Sequence, residues 1–93
     1  MVGSALAVRA MKHGKLYRID WEDAYSRDKW QDKGDIAKFA KDRNHCICSV
    51  IGWFVGKSKT SVVLSSMRSP GQDAEFSQLS RIPTGSIVRV KRL

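Results

Sequence analysis

Residues 46–67, CICSVIGWFVGKSKTSVVLSSM, constrain the fold more than any other part of the chain. Two runs dense in β-branched and aromatic side chains flank the polar, glycine-led break GKSK, which is the pattern of a β-hairpin. Branched side chains pack well on a pleated surface and lose rotamer freedom in a helix. The segment carries Gly52, Gly56, Lys57 and Ser58, which invites comparison with a phosphate-binding loop. Such a loop needs four residues between its glycines and a helix after it. Here only Trp53, Phe54 and Val55 intervene, all strand formers, and the strand-like TSVVLSS follows. The stretch reads instead as a bent strand and its turn. Gly52 would mark a bulge or sharp bend, and Gly56 would open the turn.

The flanking sequence extends the pattern. KLYRIDWE (15–22) alternates, with Tyr17, Ile19 and Trp21 on one face and Arg18, Asp20 and Glu22 on the other. A polar connection follows over 23–34. DIAKFAKDRN (35–44) has helical spacing at Ile36, Phe39 and Ala40; Asp35 can cap its start and Asn44 its end. This predicts one short helix packing a narrow apolar stripe on the rest. Strands are expected over 46–56, 60–67, 76–82 and 86–93. Pro70-Gly71 suits the centre of a type II turn, and PTG (83–85) makes a tight corner.

Strands with tight turns and little room for a second layer predict an α+β fold, a small five-stranded barrel with one inserted helix over residues 15–93. The final corner is similar to that of SH3-like and Sm-like barrels, where a short 3₁₀ turn sits between the last two strands. Residues 1–14 read as an N-terminal extension or flexible arm. MVGSALAVRA lacks the charged start and full apolar region of a signal peptide.

The chain has 17 Lys and Arg against 9 Asp and Glu, a formal net charge of +8. The excess is uneven, +2 over residues 1–34 and +6 over 35–93. Such a field favours nucleic acid, anionic nucleotides or an acidic protein surface as partner. The longest stretch without a charged side chain, Asn44 to Gly56, is thirteen residues, too short to cross the roughly 30 Å of hydrocarbon as a helix. No membrane contact is expected. Cys46 and Cys48 lie on one side of a strand, a poor geometry for a disulfide, so reduced thiols and a cytoplasmic location are the simpler expectation.

Asp20, Glu22 and Asp23 could hold a divalent cation or act as acid and base, but no second acidic cluster accompanies them, and a solvated strand edge is the expectation. His45, Cys46 and Cys48 are too few for structural zinc unless His13 folds back or a second subunit contributes. No group of residues supplies nucleophile, base and charge stabiliser together. The expectation is therefore a protein that is not an enzyme and carries neither cofactor nor metal. The candidate binding set is Lys57 and Lys59 on the hairpin tip, Arg81, and Arg89, Lys91 and Arg92 in the last strand. Trp53 is either a core side chain or a platform on which a base stacks.

Three segments, YRIDWEDA followed by Trp30, SVIGWFVGKSKTSVVLSS and RIPTGSIVRVKRL, together resemble a group of short, mostly uncharacterised bacteriophage and prophage proteins. The resemblance covers most of residues 15–93 and rests on fold motifs. Members often have lysine where Thr84 stands, and many have acidic residues where this chain has GKSK. The resemblance implies a small phage-type accessory protein acting in the bacterial host's cytoplasm. Two functions are open at this point. One is nucleic-acid binding through the basic face. The other is an anti-defence inhibitor of the anti-CRISPR type, binding an acidic host protein or sequestering a signalling nucleotide. Exposed edges of small barrels commonly pair, so a homo-oligomer is expected.

Overall fold

The computed structural model describes residues 2–23, 30–42 and 46–93. Five antiparallel strands form where the alternation and the β-branched runs lie: β1 (Leu16–Glu22), β2 (Ile47–Lys57), β3 (Ser61–Arg68), β4 (Phe76–Pro83) and β5 (Ile87–Arg92). Each end falls within one residue of its expected place. A 3₁₀ turn, Thr84–Ser86, makes the corner between β4 and β5. Together with two short helices the class is α+β.

The strand order is β4-β3-β2-β1-β5, so the last strand returns to lie beside the first. β2 is long enough to serve two neighbours in succession. Its first part pairs with β1, from Glu22↔Ile47 to Leu16↔Trp53, and its last part pairs with β3, from Trp53↔Ser65 to Lys57↔Val62. The sheet is open, and β4 and β5 are its two edges.

One face of this sheet carries the core. Tyr17 and Ile19 from β1 meet Phe54, Val62, Leu64, Ile82 and Ile87, with Trp21, Val50 and Val90 packed around them. Tyr17 and Phe54 meet edge to face, ring centres 6.4 Å apart, an arrangement aromatic quadrupoles favour.

Gly52 lets β2 and β3 approach closely. At Gly52 an added Cβ would lie 2.7 Å from the carbonyl oxygen of Ser65 and 3.1 Å from Leu64 Cβ, so no other residue fits without a shift. The register irregularity itself lies further on, between Phe54 and Gly56. Gly52 is thus a point of close contact and not the bulge. Ser65 is fully buried, and its hydroxyl reaches the carbonyls of Met67 and Ser77, tying β3 to β4. The hairpin between β2 and β3 turns on Ser58, whose Oγ accepts from the amides of Thr60 and Ser61. Thr84 N–H then donates to Thr60 O, which fastens the 3₁₀ corner to this turn. Gly71, at the expected type II turn, has φ +99°, the left-handed backbone that such a turn requires of its third residue.

The helices differ from expectation. α1 (Val2–Arg9) packs against β5, and Val8 and Met11 are part of the core. Lys12 N–H donates to Tyr17 Oη at 2.7 Å, closing this segment onto β1. α2 is Lys33–Lys41 and begins two residues before the expected start. Its N-cap is Asp32, not Asp35. Asp32 accepts from Asp35 N–H at 2.8 Å while Asp35 accepts from Asp32 N–H at 3.2 Å, a reciprocal capping box. The expected packing of its apolar stripe is not what the structure has: no α2 residue is buried and Ile36 is exposed. Asn44, the expected stop, lies outside the described residues.

Candidate functional site

The outer face of the β2-β1-β5 ladder gathers charge around one carboxylate. The register sets Asp20 between Ser49 on β2 and Arg89 on β5, and sets Arg18 opposite Lys91. Ser49 Oγ donates to Asp20 Oδ1 at 2.6 Å, Arg18 Nε donates to the same oxygen at 3.0 Å, and Arg89 Nε lies 3.7 Å from Oδ2. Asp20 is only 4% exposed, which corrects its expected place on a solvated strand edge. The Ser49 hydrogen bond, against the opposing effect of burial and with help from Arg18 and Arg89, holds this carboxyl below the usual range. A carboxylate so engaged is a poor proton acceptor. Its role is to hold the arginines. Both approach the carboxylate through Nε, Arg18 by a hydrogen bond and Arg89 as an ion pair, and Arg18 Nη2 reaches Ser49 Oγ at 3.4 Å. The Arg18 and Arg89 side chains remain 46% and 71% exposed, so these forks are accessible to an anion.

The expected cations fall on different parts of the sheet. Lys57 closes β2, Lys59 lies in the turn, and Arg81 lines a notch of about 340 Å³ with Ser58, Thr60, Ser61 and Pro83. Arg89 and Lys91 lie on β5, separated from Arg81 by β3, β2 and β1 in the strand order. Arg92 pairs with Tyr17 and borders a groove with Ala7 of α1 and Ala10 just beyond it, away from Arg89 and Lys91. Trp53 is half-buried, with the Arg68 guanidinium 5.8 Å from its ring centre. Sequence reasoning did not place Arg18 or Arg68 in the candidate set. Arg18 was visible on the polar face of an alternating strand, but only the β1–β5 register sets it against Lys91.

Burial, reinforced by the Glu22 carboxylate, pushes the Cys46 thiol up, and its Sγ donates to Glu22 Oε1 at 3.8 Å. This disfavours the thiolate that nucleophilic or metal-binding chemistry needs. His45 lies outside the described residues. Among the described residues no three His, Cys, Asp or Glu side chains are grouped to hold a metal ion. Among them, too, no helix is long and apolar enough to cross a membrane. Comparison with protein-family models, curated proteins and solved structures finds no match to this chain.

Proposed function

We propose that this protein is a non-enzymatic binding protein whose exposed cations contact the phosphate backbone of nucleic acid. The observation that carries the reading is the outer-face cluster in which Arg18 and Arg89 engage the Asp20 carboxylate and Lys91 stands opposite Arg18. Three cations against Asp20 and, two residues along the same strand, Glu22 leave a local positive excess. Two of the three are guanidinium groups, and that of Arg18 is already oriented by its hydrogen bonds to Asp20 and Ser49, so less freedom is lost when a phosphate docks. Lys57, Lys59 and Arg81, beside the hydroxyl-lined notch, extend the contact to a second stretch of backbone.

The same proposal includes an SH3-like or Sm-like small-barrel topology. The return of β5 to β1 and the 3₁₀ corner before it support that reading. It also includes the phage-type setting that the sequence motifs imply.

Fluorescence anisotropy with short labelled DNA and RNA over a salt series tests the function. Micromolar or tighter binding that weakens steeply with salt is expected, because each phosphate contact releases condensed counterions. Absence of binding at low salt overturns the reading.

A further inference from the structure

The end of β3, the start of β4 and the segment joining them enclose a groove of about 300 Å³, lined by Met67, Arg68, Ser69, Glu75, Phe76 and Ser77. We infer that this groove takes a single unstacked guanine base, an inference that rests on the nucleic-acid reading above and adds a base-specific subsite to it.

The groove is held in shape on two sides. Ser69 N–H donates to Glu75 O at 2.9 Å and Glu75 N–H donates to Ser69 Oγ at 2.8 Å, which ties together the two ends of the joining segment. The Ser65 hydroxyl, at the carbonyls of Met67 and Ser77, holds the backbone of two lining residues. Met67 and Phe76 supply apolar walls, and Phe76 is steadied by His13 in an edge-to-face contact of 5.9 Å.

Two side chains of opposite charge complete the lining. Among the described residues no ion pair joins Arg68 to Glu75, although they are near neighbours in the groove. Arg68 instead lies over Trp53, its guanidinium carbon 5.8 Å from the ring centre. The groove therefore offers a flat fork of donors and a separate carboxylate of acceptors between apolar walls. A ligand that satisfies both must be planar, with acceptors along one edge and donors along another. Guanine carries O6 and N7 as acceptors and N1–H and N2–H as donors. Adenine presents no donor pair to a carboxylate, and uracil flanks its one N–H with carbonyl oxygens that a carboxylate repels. In a duplex the N1–H edge is already paired and the base is stacked, so the occupant belongs to a single strand.

The test compares labelled short oligouridylate with the same oligomer carrying a central guanosine or adenosine, on the wild type and on Glu75→Gln. The guanosine oligomer is expected to bind about tenfold tighter than the other two. Glu75→Gln should abolish that preference while leaving oligouridylate affinity no weaker, because the variant removes a negative charge. Glu75 is exposed, so the substitution leaves the core untouched. Equal, salt-sensitive binding of all three oligomers overturns the guanine subsite and leaves the backbone-binding function standing. Failure of all three to bind overturns both.

Discussion

Ser49 on β2 donates a 2.6 Å hydrogen bond to Asp20 directly opposite it on β1, and Arg89 faces the same carboxylate from β5. One acidic side chain thus links three strands on the outer face, and it decides how two arginines are presented to solvent.

Asp20→Asn should lower stability at neutral pH by about 1–3 kcal/mol, the range for losing hydrogen bonds to a charged, covered group. The folded state holds the Asp20 carboxyl below its unfolded value. Its contribution is therefore complete above the unfolded pKa of about 3.9 and is lost as pH falls through the lower folded value. Urea unfolding of wild type and variant should show a gap at neutral pH that closes in acid. A gap that persists unchanged in strong acid contradicts this account of Asp20.

Gly52→Ala forces a Cβ to within 2.7 Å of the Ser65 carbonyl, a backbone atom with little freedom to yield. A loss of about 1–3 kcal/mol is expected, as for overpacked cores. Gly56→Ala meets nothing within 4 Å and serves as the control, with a loss well under that of Gly52→Ala. Chemical denaturation of both variants ranks them.

Ser65→Ala leaves the carbonyls of Met67 and Ser77 without the hydroxyl that bridges them. A destabilisation of about 1–2 kcal/mol is expected from the lost hydrogen bond and the desolvated acceptors. Amide exchange should quicken first along the β3–β4 ladder.

Asp32→Ala removes one half of the α2 capping box, worth about 1 kcal/mol to the helix. Because no α2 residue is buried, this loss should stay local. Hydrogen exchange in Lys33–Lys41 should accelerate while the thermal midpoint of the sheet holds. A concerted fall in the midpoint would show that α2 is coupled to the core.

The strands were legible because their signals are local. Alternation in 15–22, β-branched runs in 46–67 and turn residues at Pro70-Gly71 and PTG each act within a few positions of the chain. The α2 start was misplaced because Lys33 and Gly34 are weak entry signals, and the capping box that overrides them rests on Asp32 three residues upstream of Asp35. α1 carries no capping signal in its first turn, and its place against β5 depends on a strand more than seventy residues away. The candidate site was legible residue by residue but not as a surface. A polar side chain at an outward position reads as solvated, yet Asp20 is covered because Ser49 and Arg89 arrive from distant strands. The same non-local register puts Arg81 and Arg89 on opposite edge strands and sets Arg18 against Lys91.

The most direct test of the central claim is the salt dependence of nucleic-acid affinity for wild type and for Arg89→Gln/Lys91→Gln, two exposed positions on the outer face. If both side chains contact phosphates, the slope of log K against log salt should shallow by about 1.4 on single strands or about 1.8 on duplex. Affinity at low salt should fall with it, while the unfolding midpoint is retained. An unchanged slope and affinity in the folded double variant would contradict the assignment of this face to nucleic acid.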